Sequence, residues 1–493
     1  MDQSQPPPLT NVGCSRRAFL ERSGLGFGAL ALAHLLKDEP LTGAPYASAP
    51  GNDGVHNDLR PRPGNFQGQA KAVIQLYQEG GPSQVDLFDP KPELVKRNGQ
   101  PHPGEIEAMS PNNKNVLMAS PFKFHRHGRC GMELSELLTH VGGVADELCL
   151  IRSVHTEHNN HPEAHSMMQG GKIVAGRPTL GAWVSYALGT ENQNLPAFIV
   201  LRDPRGYGGN TKRSWSNGWL PPLYEGIEFS SRGRPVHFLT PDEPIPPAAQ
   251  REKMRLLGRL NAEHLRDYPG DSELESRIRN YELAARMQLA AVAALDLSRE
   301  TAATRKMYGL DEPVTADYGT RCLMARRLVE AGVRFVQVSP PLEGGQWDHH
   351  SRIKQALTAI CAKTDRPTAA LIKDLKSRGL LENTIVMWTG EFGRLPTTEN
   401  ADGRDHNRHA LSLFLAGGGF KRGYVHGATD DFGYRAVVDR VSVPDLHATL
   451  LGQLGLDHTE LSYPHHGRRE TLTDAPVTRA KVVRQVLQSP PQI

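Results

Sequence analysis

The sequence has few cysteines, and none of them forms a CxxC pair. An odd, widely spaced set of this kind excludes a disulfide framework and a structural zinc site built from cysteine pairs. We expect the cysteines to be buried apolar residues. They are Cys14, Cys130, Cys149, Cys322 and Cys361.

The chain also has almost no net charge and few aromatic residues. Its 57 Lys and Arg against 54 Asp and Glu give a formal charge of +3, so nothing predicts nucleic acid or an anionic membrane as a partner. Hydrophobic residues make up 38%, enough to fill a core, and 48 Gly and 37 Pro predict many loops. A length of 493 residues suits one large α/β domain with insertions or two domains.

The amino terminus lacks an apolar run long enough for a stable membrane anchor. Arg16 and Arg17 precede a short Gly/Ala/Leu stretch in "SRRAFLERSGLGFGALALAHLL". The stretch Ser15 to Leu20 resembles a twin-arginine export signal. Residues 1–49 are therefore predicted to be a signal peptide and linker, and the protein periplasmic or extracellular. The alternative is a short amphipathic helix of a cytosolic protein.

Apolar runs and helical periods alternate along the rest of the chain, which predicts a mostly parallel sheet covered on both faces. A loop-rich insertion is expected at 203–250. Strands are predicted at 72–77, 148–154, 197–201, 334–338, 384–388 and 410–415. Helices are predicted at 132–144, 162–168, 180–188, 251–265, 274–297, 318–331, 351–377 and 444–454.

Four of these strands end in stretches rich in carboxylates and imidazoles. Ligand sites of open α/β sheets lie beyond the carboxyl ends of the strands, so these stretches are expected to meet. They read "QEGGPSQVDLFDPKP", "HTEHNNHPEAH", "SPPLEGGQWDHH" and "GEFGRLPTTENADGRDHNRH".

The second stretch places His155, His158, His161 and His165 within eleven residues. Pro162 fits the first position of a helix, so His161 is predicted to be the N-cap. The free N–H groups at such a helix start attract an anion and favour neutral imidazole, the form that binds metal. The alternative is a hydrogen-bonded histidine cluster that holds a loop.

Two Asp/His pairs on different strand ends indicate a divalent metal site, for one ion or two. Carboxylate with imidazole suits zinc, manganese or a similar divalent ion, with a calcium-like ion also considered. The predicted ligands are Asp348, His350, Glu391, Asp405 and His406, with help from His158 or His161.

Arg394 and Arg404 flank the same predicted site. Their guanidinium groups could clamp a tetrahedral oxyanion through paired hydrogen bonds. Salt bridges to Glu391 and Asp405 are the equally open alternative.

Four motifs together resemble the DUF1501 family of exported bacterial proteins, which is similar to the sulfatase and alkaline phosphatase superfamily. They are "GGPSQVDLFDPKP", "GGQWDHH", "GEFGRLPTTENADGRDHNRH" and "DLHATLLGQLGLD". The resemblance implies an α/β fold of the alkaline phosphatase-like type, a three-layer αβα sandwich, over residues 62–478. It also implies metal ions at the carboxyl edge of the sheet and sulfate or phosphate esters as substrates.

The chain departs from that pattern in two places. The position that corresponds to the Cys, Ser or Thr nucleophile of the superfamily falls among Asn159, Asn160 and His161. None of these three residues is a Cys, Ser or Thr. The first strand is followed by Gln78-Glu79-Gly80-Gly81 where paired aspartates are expected.

These observations leave two hypotheses about function. The first is an exported metal-dependent hydrolase of small-molecule or polysaccharide esters, with His161 or His165 as acid or base and Arg394 or Arg404 holding the anion. The second is a non-catalytic metal-binding or surface-assembly protein that retains the fold.

Overall fold

The computed structural model describes residues 57–206, 211–232, 245–342 and 346–491. The predicted signal peptide and linker at 1–49 lie outside the described residues, as do parts of the insertion predicted at 203–250. The described part of that insertion holds short 3-10 turns and one two-residue strand.

One central sheet contains nine strands among the described residues. They are β1 (Ala72–Tyr77), β2 (Leu148–His155), β3 (Phe198–Leu201), β4 (Ile227–Glu228), β5 (Phe335–Val338), β6 (Thr384–Thr389), β7 (Leu411–Ala416), β8 (Tyr424–His426) and β9 (Val441–Ser442). Their order across the sheet is β8-β2-β7-β6-β1-β5-β3-β4, and β9 also pairs with β2.

The sheet is mostly parallel, as predicted. Strand β7 is the exception, because it runs antiparallel to both neighbours, β2 and β6. The rings of Phe414 on β7 and Trp388 on β6, which are opposite each other, stack with centroids 5.5 Å apart. Because β7 is reversed, its first residue lies at the edge where its parallel neighbours end.

Both faces of the sheet are covered. Every residue of β1, β6 and β7 is buried. Alternate side chains of a strand point to opposite faces, so burial of both sets requires a layer on each side. The three-layer α/β/α arrangement predicted from the sequence is confirmed.

The covering layers contain seven longer helices among the described residues. They are α1 (His161–Gly170), α2 (Leu180–Leu188), α3 (Pro247–Asp267), α4 (Ser272–Leu295), α5 (Ala316–Glu330), α6 (Ile353–Ser377) and α7 (Val443–Gln453). Helix α7 begins with a capping box in which Ser442 and Asp445 satisfy each other's backbone N–H groups. None of the described helices has the length and apolarity needed to span a bilayer.

Shorter elements complete the described chain. The short α-helices are Gln84–Leu87, Pro92–Lys96, Thr139–Gly142, Ala302–Met307 and Ala475–Thr478. Two-stranded ladders pair Asn113–Leu117 with Thr397–Glu399, Phe124–His127 with Met132–Ser135, Gly393–Arg394 with His406–Asn407, Ala428–Thr429 with Ala436–Val438, and Tyr463–His465 with Arg468–Glu470.

The helix predicted at 132–144 is wrong. Met132–Ser135 is a strand paired with Phe124–His127, and only Thr139–Gly142 is helical. Leu134 on the strand and Val141 on the short helix are both buried in the core. They are seven residues apart, the spacing of one face of a helix, which explains the wrong prediction.

Two smaller predictions also need correction. Helix α1 begins at His161 itself, and its N-cap is Asn160. Cys149, Cys322 and Cys361 are buried as expected, but Cys130 is exposed. Cys14 lies outside the described residues.

Candidate metal centre

Five segments meet at the carboxyl edge of the sheet. Glu79 follows β1, His161 follows β2, Asp348 follows β5 and Glu391 follows β6. His406 precedes β7, and the reversed direction of β7 brings it to the same edge. The four ligand-rich stretches predicted from the sequence therefore converge.

The carboxylate of Asp348 lies among three imidazole rings. Its Oδ1 is 2.9 Å from Nε2 of His350 and 3.2 Å from Nε2 of His406, and its Oδ2 is 3.4 Å from Nε2 of His161. The Nε2 atoms of His350 and His406 are themselves 3.1 Å apart. His161, Asp348 and His406 thus form one close group of potential ligands, and His350 contacts two of its members, Asp348 and His406.

The other ring nitrogen of each histidine is held by an oxygen that can only accept a hydrogen bond. Each Nδ1 therefore carries a proton, so loss of the second proton, as metal binding requires, would leave the lone pair of each Nε2 directed toward Asp348. The pairs are His161 with Glu391 (2.6 Å), His350 with Glu399 (2.5 Å) and His406 with the carbonyl of Asn159 (2.7 Å). Partners of this kind orient the histidine ligands of metal sites.

The spacing of these atoms fits a divalent cation. Two ligands at about 2.0–2.2 Å from one ion lie roughly 3.0–3.5 Å apart in octahedral or tetrahedral geometry. The distances among Asp348 Oδ1 and the Nε2 atoms of His350 and His406 run from 2.9 to 3.2 Å. Three imidazoles with one carboxylate suit zinc or a similar transition metal better than calcium, which prefers oxygen.

The centre is accessible from solvent. The side chains of Asp348 and His350 are each 34% exposed, whereas that of His406 is 8% exposed. A catalytic metal needs an open coordination position, and the exposed side of Asp348 and His350 is where one would lie.

The electrostatic field at the centre favours positive charge. Burial alone would lower the pKa of His161, but the carboxylates of Asp348 and Glu391 raise it to about 9. Asp348 raises the pKa of His350 as well. Burial opposes ionisation of Asp348, yet hydrogen bonds from the surrounding histidines hold its pKa well below the usual value.

A second, looser group of ligand atoms lies beside the first. Nε2 of His165 has no hydrogen-bond partner among the described residues and lies 3.6 Å from Oε1 of both Glu79 and Glu391. Its Nδ1 is 2.5 Å from the hydroxyl of Tyr77. Burial lowers the pKa of His165 to about 4, so its ring is neutral.

Glu391 joins the two groups. Its oxygens accept hydrogen bonds from the backbone N–H of Gly80 at 3.0 and 3.2 Å. Burial would raise its pKa, but His165 and His161 lower it to about 2. Gly80 has φ +116°, and a Cβ there would lie 2.6 Å from the backbone nitrogen of Asp348. Glycine at this position therefore lets the Asp348 segment approach the end of β1.

Arg394 is buried beneath the centre. Its guanidinium donates to Oδ1 of Asp348, to the carbonyl of Gly81 at 2.9 Å and to the carbonyl of Arg404 at 3.0 Å. The side chain is 1% exposed. Arg394 therefore orients Asp348, and its donors are occupied by protein oxygens.

Arg404 does not reach the centre. It forms a fully buried ion pair with Asp86, at 2.7 Å from Nε to Oδ2 and 3.1 Å from Nη2 to Oδ1. The acidic partners of the two arginines are thus Asp348 and Asp86, whereas Glu391 and Asp405 were the partners expected from the sequence.

Two further predicted ligands, His158 and Asp405, have different surroundings. Nδ1 of His158 accepts from the backbone N–H of Asn160 at 3.0 Å, and the side chain is 41% exposed. The carboxylate of Asp405 accepts from the backbone N–H groups of Met109 and Ser110, both at 2.8 Å. His158 thus stays outside the ligand groups of the described residues, whereas Asp405, which holds a loop, also forms a group of potential ligands with His350 and Glu399.

Three partners of the centre were not predicted from the sequence. Glu399 is buried on a short strand and holds His350, Asn159 holds His406 through its carbonyl, and Tyr77 holds His165. Only Tyr77 had a usable signal, because it is the last residue of the predicted first strand.

The geometry defines a class, a three-layer α/β/α protein with a histidine–carboxylate centre at the carboxyl edge of its sheet. The chain belongs to the family described as "Protein of unknown function (DUF1501)", whose model matches residues 70–487. Membership in this family, expected from the motifs, is confirmed. No curated protein matches the chain.

Several solved structures are distantly similar to this chain. A phosphonate monoester hydrolase from Silicibacter pomeroyi is 12% identical, with 86% of this chain and 78% of that chain covered and a TM-score of 0.34. The lipoteichoic acid synthase LtaP from Listeria monocytogenes is 9% identical, with 85% and 78% covered and a TM-score of 0.36. A protein in the alkaline phosphatase superfamily from Vibrio parahaemolyticus is 9% identical, with 81% and 70% covered and a TM-score of 0.32. Similarity this distant leaves the function to be argued from the site.

Proposed function

We propose that this protein is a metal-dependent hydrolase of sulfate or phosphate esters, with one divalent cation held by Asp348, His161, His350 and His406. The observation that carries the proposal is the common orientation of the three histidines. Each Nδ1 is fixed by an acceptor, and each Nε2 faces Asp348. His161 is then a ligand, which is one of the two roles that the sequence suggested for it, the other being acid or base.

A divalent cation at this place would polarise an ester oxygen and stabilise the charge that develops as the ester bond breaks. The protein's contribution is to hold the ligands rigidly. Glu399 and the carbonyl of Asn159 fix the rings of His350 and His406, and Arg394 fixes the carboxylate of Asp348. Such preorganisation lowers the cost of reaching the transition state.

The attacking group that we propose is water. No Ser, Thr or Cys side chain in the described residues hydrogen-bonds to the four proposed ligands. His165, the other acid or base suggested by the sequence, is 1% exposed. Its Nε2 lies 3.6 Å from the carboxylates of Glu79 and Glu391, in the interior, where an ester would not enter.

The alternative is a non-catalytic protein that binds the metal and keeps the fold. One observation favours it: Arg394 and Arg404 both donate to protein oxygens, so neither is ready to clamp an oxyanion. A catalytic centre would then have to bind the ester through the cation and backbone donors alone.

We also propose that the protein is exported by the twin-arginine route, to the periplasm or the cell exterior. Export is supported by Arg16 and Arg17 ahead of the apolar stretch. To test export, Arg16 and Arg17 are both replaced by lysine, and the location of the protein is followed by cell fractionation. The parent should leave the cytoplasm and the variant should remain there; equal export of both would contradict it.

The proposed metal-dependent hydrolysis is tested by elemental analysis of the purified protein and by assays of p-nitrophenyl sulfate and p-nitrophenyl phosphate turnover. We expect about one transition-metal ion per chain and hydrolysis that a chelator abolishes. A protein that binds the metal without turnover would support the non-catalytic alternative. A protein with neither metal nor turnover would contradict both.

A further inference from the structure

A cavity of about 580 Å³ lies beside the outer strand β8, away from the proposed ligands. Its walls come from His426 at the end of β8, the turn at 439–440, the loop at 457–459 and the segment 480–485. Cavities of this size bind organic ligands, and a single inorganic ion would occupy only a small part of one.

The cavity is lined by several cations, two of which form no ion pair among the described residues. Arg440 and Lys481 line it, and neither has an acidic partner within 4.0 Å among the described residues. Arg484 is a third cation in the wall. Nδ1 of His426, a side chain only 2% exposed, has no hydrogen-bond partner in the described structure. Arg440 and Lys481 are therefore donors available to an anion.

A second recess of about 350 Å³ continues from the first. His409, Arg435 and Arg440 line it, so Arg440 belongs to both. The side chain of Arg435 rests on the ring of Tyr434, with its guanidinium carbon 4.9 Å from the ring centroid. We call the two recesses together the basic groove, defined by His409, Arg435, Arg440 and Lys481.

Direct contacts connect the basic groove to the metal centre. Nε2 of His409 lies 2.9 Å from Oε2 of Glu107, whose Oε1 accepts from Nδ2 of Asn159 at 3.2 Å. The carbonyl of Asn159 in turn holds Nδ1 of His406 at 2.7 Å. Arg440 immediately precedes β9, which pairs with the last residues of β2 at the same edge of the sheet. The groove and the centre are therefore neighbours.

We propose that the basic groove binds a linear anionic polysaccharide whose sulfate or phosphate ester is presented to the metal centre. This inference rests on the proposed function and narrows its substrate from esters in general to esters on a polymer. A small ester would need only the centre, whereas repeated anionic groups along a chain would engage Arg435, Arg440 and Lys481 in turn.

The groove suits a polysaccharide better than a nucleic acid. The cavity also contains the carboxylates of Asp439 and Asp457. A sugar ring offers hydroxyl donors to carboxylates, but the phosphates of a nucleic acid are repelled by them. The alternation of cations and carboxylates therefore matches a chain that carries both anionic groups and hydroxyls.

The test compares binding of dextran sulfate, neutral dextran and single-stranded DNA to the full chain, by isothermal titration calorimetry at fixed low salt. The double variant Arg440→Ala/Lys481→Ala removes two groove charges. The matched control Lys114→Ala/Lys354→Ala removes two charges from exposed positions elsewhere. The conservative variant Arg440→Lys/Lys481→Arg keeps the charges and checks that loss is not due to misfolding.

We expect the groove variant to raise the Kd for dextran sulfate roughly tenfold, as two exposed charge contacts allow, with the control and conservative variants near the parent. Neutral dextran should bind weakly to all four proteins. Equal Kd values for the groove variant and the parent would overturn the proposal. Equally tight DNA binding with the same dependence on Arg440 would overturn the choice of a polysaccharide.

The result of the polymer-binding test can be distinguished from the result of the ester-hydrolysis test. Binding is measured without turnover, and the metal-to-protein ratio of the groove variant should equal that of the parent. Polymer binding by a parent that hydrolyses no ester would support the groove and contradict the hydrolase.

Discussion

The Nε2 atoms of His350 and His406 lie 3.1 Å apart, although the other nitrogen of each ring already carries its proton toward Glu399 or the carbonyl of Asn159. When both rings are neutral, the two lone pairs at that distance repel each other, whereas a proton on His350, whose pKa Asp348 raises, would bridge them. The proposed cation would replace that proton and convert the repulsion into coordination.

Replacing His406 by alanine should therefore remove a ligand. We expect metal affinity to fall by more than the roughly 10–100-fold that follows loss of an outer partner. Metal content after dialysis against a dilute chelator measures the effect. His158→Ala is the matched control, because His158 is also in the histidine-rich stretch but is exposed and lies outside the centre. Equal metal content in both variants would remove His406 from the ligand set.

Glu399→Gln should weaken metal binding without removing a ligand. The carboxylate of Glu399 fixes the ring of His350 at 2.5 Å and makes it a stronger ligand. A glutamine oxygen can still accept the hydrogen bond but lacks the charge, so we expect a loss of roughly 10–100-fold in metal affinity. Competition with a fluorescent chelator measures it. An unchanged affinity would show that His350 is oriented by other contacts.

Arg404→Met should destabilise the fold and leave metal binding intact. Without Arg404, the fully buried carboxylate of Asp86 loses its cationic partner. We expect this loss to lower the unfolding free energy by about 3–5 kcal/mol. Urea denaturation measures the loss. The double variant Asp86→Leu/Arg404→Met removes both charges and should recover much of the stability. A rise in KM for an ester at unchanged stability would instead support an anion-binding role for Arg404.

Gly80→Ala should damage the centre through the backbone. The new Cβ would meet the backbone of Trp347 and Asp348 at 2.6–2.8 Å, in addition to the strain of a positive φ. Gly99→Ala is the matched control, because Gly99 also has positive φ but has open space around it. We expect Gly80→Ala to cost about 1–3 kcal/mol more than the control, measured by urea denaturation, and to reduce metal content. Equal costs would mean that the Asp348 segment can move aside.

Acid should destabilise the protein partly through His447. This side chain is buried, its Nε2 donates to the carbonyl of Met168 at 2.8 Å, and burial lowers its pKa to about 4. The folded state therefore resists protonation that the unfolded chain accepts below about pH 6.5, so stability falls as the pH drops from 6.5 toward 4.

We expect the contribution of His447 to reach roughly 2 kcal/mol between pH 7.5 and pH 5. His447→Gln keeps a donor for Met168 but does not titrate. The fall in unfolding free energy over that range should be smaller in this variant by about the same amount. An identical fall in both proteins would show that other groups cause the acid sensitivity.

The strand ends could be predicted from the sequence because each needs only local information. An apolar run followed by a cluster such as "WDHH" indicates a ligand at a sheet edge, and Asp348, His350 and His406 meet there. The direction of β7 could not be read from its composition, because a buried strand is apolar whichever way it runs.

Side-chain pairings between residues far apart in the sequence could not be predicted from local sequence patterns. Arg404 and Asp86 are 318 residues apart, and a neighbouring acid such as Asp405 looked the better partner. Similarly, the choice of Nε2 over Nδ1 as the ligand atom depends on Glu399 and Asn159, which have no motif of their own.

The reversal of β7 has a consequence for the order in which the centre assembles. The segment between β6 and β7 leaves and re-enters the sheet at adjacent strands, so its internal contacts, such as Arg394 with the carbonyl of Arg404 ten residues away, close early in folding. His161 must reach Glu391 across 230 residues, which is a slow, late event. His161 joins the other proposed ligands only when the domain has closed, so retention of the proposed cation would report that the chain has finished folding.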